Sequence, residues 1–304
     1  MGQYQQWDIV SGVGITALVV AAARAVESSR PDRLVDDPYA AAFVAAVDSP
    51  VPVLTRWPER DAVLSTRESM VVQSSSYQGL RSRVFDDYLR AACAEGVGQV
   101  VIVAAGLDAR AFRLDWPMGL RLFEIDQPKV LEFKDTVLAG AGGAARCTRT
   151  AVPIDLREDW PAALLAAGFN PDVPTAWLVE GLLPYLPAEA ERLLFEHIST
   201  LSPVGSQVAV ERNDGVATMV DGAELRKIAA DAGIALGQLF NGEPRPNPAT
   251  WLTGAGWRVV EESAATAAER YGRDLAVPAG TAPAVELVAR RTGSYAFLTA
   301  RRIP

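Results

Sequence analysis

The fold is decided by residues 99–126, which are QVVIVAAGLDARAFRLDWPMGLRLFEID. The run from Val100 to Ala104 is continuous, apolar and rich in β-branched residues, which predicts a fully buried parallel strand. A turn containing Gly106 follows, and a second apolar run then ends on Asp126. An acidic residue about 20 positions after such a glycine is typical of strands whose carboxyl ends bind a ribose. We therefore expect a cofactor that carries an adenosine.

The composition indicates an acidic globular protein. Its 304 residues are 49% hydrophobic, and the formal net charge is −8 at pH 7. A nucleic-acid surface would need a basic footprint, so we expect no nucleic-acid partner, and no obligate protein partner is evident. Cys93 and Cys147 are too few for a disulfide framework or a zinc site, which favours the cytoplasm and predicts no metal. The uncharged stretch from Ile9 to Ala23 is too short to span a membrane comfortably, and we expect a buried helix there.

The rest of the chain alternates between strand and helix patterns, which predicts a mainly parallel sheet with helices on both faces. Further strands are predicted at 149–154, 175–179, 207–212, 257–260 and 294–300, and helices at 14–29, 74–95, 127–134 and 188–198. We expect one domain, with an N-terminal helical cap (1–97), a cofactor-binding core (98–212), a substrate-side insertion (213–250) and C-terminal strands (251–304). The insertion contains one plausible helix at 223–232, and such loops on a rigid scaffold often carry specificity.

Acidic residues stand at the ends of the predicted strands: Asp108, Asp126, Asp155 and Glu180. Asp155 can accept a hydrogen bond from an adenine amino group while the backbone N–H of Leu156 donates to a ring nitrogen. The alternative for Asp155 is a cap for a helix that begins near Glu158. Glu180 is either a general base or a structural hydrogen-bonding group.

Three further segments have two interpretations each. Asp37 either caps a helix with Pro38 at its first position or belongs to an N-terminal lid over the cofactor. Arg81 and Arg83 lie in the helix before the first strand, where one of them can bind a carboxylate bidentately and the other is solvated. Tyr185 either borders the acceptor pocket as a candidate base or is a packed aromatic residue.

The sequence motifs that define several enzyme classes are absent from this chain. Gly106 stands alone where a dinucleotide site needs G-x-G-x-x-G, so a nicotinamide-dependent oxidoreductase is the weaker alternative. Neither a G-x-x-x-x-G-K-[ST] phosphate loop nor a G-x-S-x-G elbow occurs. The single histidine, His197, is predicted to lie within a helix as a packed or surface residue rather than to act as a base. A protein that binds the cofactor without turnover is the second alternative.

Four motifs in order resemble the leucine carboxyl methyltransferase family, in particular its large bacterial branch of S-adenosylmethionine-dependent methyltransferases. They are VVIVAAGLDARAFR (100–113), FEIDQP (123–128), PIDL (153–156) and LVEGLLPYL (178–186). The segments RPDRLVDDPY (30–39) and LRSRVFDDY (80–88) are also similar to that branch. The resemblance covers nearly the whole chain.

The resemblance implies a class I methyltransferase (Rossmann-like) fold, with seven strands that are parallel except for one near the C-terminus. It also implies that Gly106 lines the methionine part of S-adenosylmethionine, that Asp126 holds the ribose, and that Asp155 with Leu156 contacts the adenine. Glu180 would lie near the amino-acid end, and Arg83, in preference to Arg81, would pair with the cofactor carboxylate. The branch usually has glycine at the position of Ala104, so we expect less room for backbone approach there. The implied activity is methyl transfer to oxygen, carboxyl or hydroxyl, on a small molecule or a peptide end.

Overall fold

Seven strands form one sheet in the computed structural model, which describes residues 13–47, 53–213, 240–277 and 281–304. They are β1 (Gln99–Val103), β2 (Arg121–Asp126), β3 (Thr148–Pro153), β4 (Thr175–Val179), β5 (Gln207–Asn213), β6 (Trp257–Ser263) and β7 (Tyr295–Arg302). Their order across the sheet is β3-β2-β1-β4-β5-β7-β6. Strands β1 to β5 pair in parallel, whereas β7 is antiparallel to both β5 and β6. The predicted class I methyltransferase fold is confirmed.

Strand β1 lies at the centre of the sheet because its apolar residues are buried on both faces. Val100 and Ile102 belong to one hydrophobic core, and Val101 and Val103 belong to the other. Val103 pairs in register with Ile125 of β2 on one side and with the last residue of β4 on the other. The carboxyl ends of the three strands consequently lie side by side.

Helices cover both faces of the sheet. Within the described ranges they are α1 (Val13–Ser28), α2 (Ala40–Ala45), α3 (Thr66–Ala94), α4 (Arg110–Arg113), α5 (Pro128–Gly140), α6 (Trp160–Ala166), α7 (Ala188–Thr200), α8 (Pro248–Gly254), α9 (Ala264–Arg270) and α10 (Pro283–Thr292). Helices α1, α3 and α9 pack over one core, and α6, α7 and α8 pack over the other. None of these helices is long and apolar enough to cross a membrane.

Helix α3 begins earlier than the predicted boundary at residue 74. Ser65 and Glu68 form a capping box, in which each side chain accepts a hydrogen bond from the backbone N–H of the other. The first turn of the helix, residues 66–69, is polar, and Met70, Val71 and Val72 are consecutive rather than spaced at helical intervals, so the apolar periodicity detected only the later part.

The two carboxylates with a helix cap among their predicted roles, Asp37 and Asp155, each bind an arginine. Helix α2 begins at Ala40. In the turn before it, Asp37 Oδ1 accepts a hydrogen bond from Tyr39 N, while Asp37 Oδ2 pairs with Arg24. Helix α6 is capped by Asp159, while Asp155 binds the guanidinium of Arg157. Each carboxylate combines a charge-assisted bond to an arginine with a hydrogen bond from a nearby backbone N–H, that of Tyr39 for Asp37 and that of Arg157 for Asp155.

The C-terminal third was the least well predicted part of the chain. Helices α8, α9 and α10 have at most ten residues each, and the loop-rich sequence around them concealed their periodicity. The helix predicted at 223–232 and most of the predicted insertion at 213–250 lie outside the described residues.

Candidate functional site

The carboxyl ends of β1, β2, β3 and β4 meet at one edge of the sheet because these strands are parallel. The predicted site residues that follow them are Gly106, Asp108, Asp126, Asp155, Leu156 and Glu180. The structure therefore brings together the residues that the sequence placed at strand ends.

The turn after β1 is fixed to β2 by Asp126. Its Oδ2 accepts a hydrogen bond from Gly106 N at 2.6 Å, and its Oδ1 accepts one from Gln127 N at 2.7 Å. Burial raises the pKa of Asp126 above its ordinary value of 3.8, and these two backbone bonds only partly offset that effect. Because a carboxylate has about four acceptor positions, Asp126 can still accept from a ligand hydroxyl.

The turn itself has a left-handed backbone. Gly106 has a φ of +47°, and Ala104 has a φ of +52°, which costs an alanine roughly 1–2 kcal/mol. A Cβ added to Gly106 would meet only the Ala104 carbonyl oxygen, at 3.9 Å. The backbone at Gly106 therefore faces open space, as close approach by a ligand requires.

Asp155 follows β3 and is tied to its neighbours. Its Oδ2 accepts a hydrogen bond from Gln127 Nε2 at 3.0 Å and a second from Arg157 Nη2 at 2.6 Å. The hydrogen bonds with Arg157 lower the pKa of Asp155, although burial opposes them. Leu156 is half-buried and packs against the core under α6 and α7. Gln127 thus connects the ends of β2 and β3.

A buried ionic cluster lies at the ends of β1, β4 and β5; its members are Arg81, Asp86, Asp108, Arg110, Arg113, Glu180 and Glu211. Arg110 donates from Nε to Asp86 Oδ1 at 2.7 Å and from Nη1 to Glu180 Oε2 at 2.7 Å. Arg110 also pairs with Asp108. Burial raises the pKa of the Asp108 carboxyl, but the charge of Arg110 outweighs that effect and lowers this pKa to about 2. Four carboxylates face three guanidiniums, so the cluster has one negative charge in excess.

Glu211 connects the remaining members of the ionic cluster. Its Oε2 accepts from Arg81 Nη1 at 2.9 Å and from Gly181 N at 2.7 Å, and its Oε1 accepts from the Tyr77 hydroxyl at 2.6 Å. Arg81 Nε also lies 2.8 Å from Glu180 Oε1. Glu180 is therefore held between two arginines, with one guanidinium at each carboxylate oxygen.

The two candidate arginines of α3 occupy different environments. The Arg81 side chain is 8% exposed and lies in the ionic cluster at the edge of the sheet. The Arg83 side chain is 41% exposed, pairs with Asp87 at 2.8 Å and stacks over the Tyr271 ring. Arg81 is the arginine that contacts Glu180, and the preference for Arg83 as the partner of the cofactor carboxylate stays a prediction.

Tyr185 ends a short 3₁₀ helix (Leu183–Tyr185) after β4. Its hydroxyl donates to Thr16 Oγ1 of α1 at 2.9 Å, and its ring lies 4.9 Å from that of Phe240 between centroids. Burial raises the pKa of Tyr185 to about 12. The phenol is consequently neutral near pH 7.

Sequence reasoning missed Glu211 and Arg110 as members of the site. Glu211 stands near the carboxyl end of a predicted strand, as the other acids do, so its position was an available signal. Arg110 lies within the 100–113 motif, but nothing in the sequence indicates that it bridges Asp86 and Glu180. His197 lies in α7, and its ring contacts the Trp160 ring edge-on at 5.5 Å, as predicted for a packed side chain.

Comparison with known proteins identifies the family. The family model for leucine carboxyl methyltransferase matches residues 17–199. A relative from Saccharopolyspora erythraea is 50% identical over 275 residues, which cover 90% of this chain and 93% of the relative. One from Rhodococcus jostii is 46% identical over 281 residues, covering 88% and 90%. Both are named "Putative S-adenosyl-L-methionine-dependent methyltransferase". The chain belongs to the leucine carboxyl methyltransferase family.

A solved structure supports the fold assignment. It is a DUF574 family protein from Streptomyces avermitilis with a TM-score of 0.53, and the match covers 94% of this chain and 97% of that chain. The two sequences are 12% identical, so the likeness concerns the fold alone.

Proposed function

We propose that this S-adenosylmethionine-dependent methyltransferase transfers the methyl group to an oxygen atom, with a carboxylate as the preferred acceptor. The acceptor is a small molecule or the end of a peptide. When bound, S-adenosylmethionine supplies an electrophilic methyl group on a sulfonium. The protein then needs to orient the acceptor, align it with that methyl group and exclude water.

The described residues fit this cofactor. Gly106 offers backbone next to open space, and Asp126 has acceptor positions left for ribose hydroxyls. Asp155 and Leu156 would contact the adenine. Hydrogen bonds from Arg157 and Gln127 already orient the Asp155 carboxylate. The excess negative charge of the ionic cluster, to which Asp108 contributes, suits a ligand whose net charge is positive.

Arg81, rather than Arg83, is our candidate for the cofactor carboxylate. Its Nη1 donates to Glu211 and its Nε lies 2.8 Å from Glu180 Oε1, and no described residue accepts a hydrogen bond from Nη2. Glu180 lies beside it and would face the amino group of the same ligand. A cationic and an anionic side chain side by side match the two charges of an amino acid.

The preference for a carboxylate acceptor rests on one observation: Glu180 has an arginine at each of its oxygens. Both of its oxygens are therefore engaged by guanidiniums, and neither is left free to contact the hydroxyl group of an acceptor. Tyr185 is neutral near pH 7, because its pKa is about 12. A carboxylate is already an anion and needs no general base, whereas a hydroxyl acceptor needs one.

The proposal is tested in two steps. Calorimetry with the full chain should detect binding of S-adenosylmethionine and none of NADH; binding of NADH alone would favour an oxidoreductase. Methyl-labelled cofactor is then incubated with paired acceptors that differ only in carrying a carboxylate or a hydroxyl. We expect a label that alkali releases as methanol, because an ester is hydrolysed and an ether is not. Alkali-stable label would contradict carboxyl transfer, and binding without transfer to any acceptor would favour a non-catalytic role.

We also propose a cytoplasmic location. Cys93 and Cys147 are both free thiols, which is the state that a reducing compartment maintains. Fractionation of cells that express the protein would check this location.

A further inference from the structure

The segment RLVDDPY contains two adjacent acids in contrasting environments. Asp36 is exposed, and its carboxylate lies 3.8 Å from Arg33 Nη2 in a pair that solvent surrounds. The Asp37 side chain is 1% exposed, and its Oδ2 accepts a hydrogen bond from Arg24 Nε at 3.0 Å. A buried pair is maintained only when further hydrogen bonds satisfy its remaining groups, so Asp37 and Arg24 need additional partners.

Arg24 finds its second partner in the turn after β1. Its Nη2 donates to the Leu107 carbonyl oxygen at 2.6 Å, across 83 positions of sequence. Leu107 directly follows Gly106 and is itself buried. Because Asp108 N also donates to the Ala105 carbonyl at 2.9 Å, residues 105–108 form a tight turn. Arg24 binds the carbonyl oxygen of Leu107, the third residue of this turn.

Asp37 makes further hydrogen bonds to residues other than Arg24. Its Oδ1 accepts from Tyr39 N at 3.1 Å, and its own N–H donates to Ser28 Oγ at 2.8 Å. Ser28 is the last residue of α1, the same helix that carries Arg24. The carboxylate thus has a defined position, and the guanidinium bound to it has one too.

We propose that Arg24 and Asp37 are positioning residues for the cofactor turn. Asp37 orients the Arg24 guanidinium, Arg24 holds the Leu107 carbonyl, and the turn keeps the backbone of Gly106 in the orientation that binds the cofactor. The inference rests on the proposed function, since it assigns the turn to S-adenosylmethionine. It gives the N-terminal segment a role in cofactor binding without direct contact.

The test compares Asp37→Asn with its neighbour Asp36→Asn in the full chain. Calorimetry measures the dissociation constant of S-adenosylmethionine. We expect Asp37→Asn and Arg24→Met each to raise it about tenfold, which corresponds to about 1.4 kcal/mol. Asp36→Asn should stay within about twofold, as expected for an exposed pair. The double variant Arg24→Met/Asp37→Asn should bind no more weakly than Arg24→Met alone, because both residues act on one carbonyl.

A second readout separates positioning from mere stability. Amide hydrogen exchange at 105–109 in the protein without cofactor should be faster in Asp37→Asn than in Asp36→Asn, at a temperature where both are folded. Arg24→Lys keeps a cation beside Asp37 and should bind with intermediate affinity; it replaces Arg24→Met if that variant does not fold. Wild-type affinity in the Asp37 and Arg24 variants would overturn the inference. Failure of the wild-type protein to bind S-adenosylmethionine would instead refute the proposed function.

Discussion

The two halves of the sheet edge are built in different ways. The cofactor half, at the ends of β1 to β3, consists of Gly106, Asp126 and Asp155, which are joined by hydrogen bonds between adjacent strands and keep acceptor positions open. The charged half, at the ends of β4 and β5, consists of Arg81, Glu180 and Glu211, whose charged groups already contact one another. The first half is ready to accept bonds from a ligand, while the second half mainly holds its own geometry.

The largest effect should come from removing the shared cation of the charged half. Arg81→Met leaves the buried carboxylates of Glu180 and Glu211 short of a partner, and we expect the free energy of unfolding to fall by about 3–5 kcal/mol. The matched variant Arg83→Met breaks only the exposed pair with Asp87 and should cost less than about 1 kcal/mol. Denaturant unfolding of both proteins measures the difference. Equal losses would contradict the assignment of the shared cation to Arg81.

In the cofactor half, Asp126→Ala should weaken binding of S-adenosylmethionine by about 1.5–3 kcal/mol, because it removes charge-assisted bonds to the ribose. Calorimetry measures this loss, and Asp115→Ala, which truncates an exposed carboxylate, is its control. An unchanged affinity in Asp126→Ala would exclude Asp126 from the site.

The raised pKa of Asp126 should make the affinity for the cofactor depend on pH. As the pH falls through a value above 3.8, the carboxyl becomes protonated, and affinity for the cofactor should fall with it. The stability of the protein without cofactor should depend on pH in the opposite sense. The contribution of Asp126 to the free energy of unfolding is fully present below pH 3.8 and is lost as the pH rises through the folded-state pKa. Binding titrations at successive pH values should show the dependence in the wild type and not in Asp126→Asn. The same profile in both proteins would assign it to another group.

A smaller effect is expected when alanine replaces Gly106, which faces the ligand, or Gly119, which has only a conformational role. Gly106 and Gly119 both have positive φ values, of +47° and +82°, so either change to alanine should cost about 1 kcal/mol of stability. Only Gly106→Ala should also weaken cofactor binding, because its Cβ would enter the open space beside the turn. Thermal unfolding and calorimetry on both variants test this. Equal affinities would show that the cofactor does not approach Gly106.

The smallest effect is expected at Tyr185. Tyr185→Phe removes the hydrogen bond to Thr16 and should lower stability by about 1 kcal/mol, with methyl transfer reduced less than about tenfold. Thr16→Val removes the same bond from the other side and is the matched control. A general base would be worth about 10²–10⁴-fold in rate, so a loss of that size in Tyr185→Phe alone would make the phenol catalytic.

The cofactor half was predictable because its signals are local. A continuous apolar run defines β1, and the spacing from Gly106 to Asp126 follows from one turn and one returning strand. The charged half was only partly predictable. Glu180 was found at a strand end, but α3 is buried on all sides around residues 75–82, so no apolar stripe indicated which arginine points inward.

The sequence by itself determined the strand and helix alternation, the parallel sheet and the acids at its edge, since these depend on the period of apolar residues and on glycine. Only the tertiary structure decided that Asp37 binds Arg24, that Arg81 rather than Arg83 contacts Glu180, and that Glu211 completes the ionic cluster. Pairing between charges is set by distance and burial after the elements have packed. Arg81 and Glu211 lie 130 positions apart in the chain, and no local pattern encodes that contact.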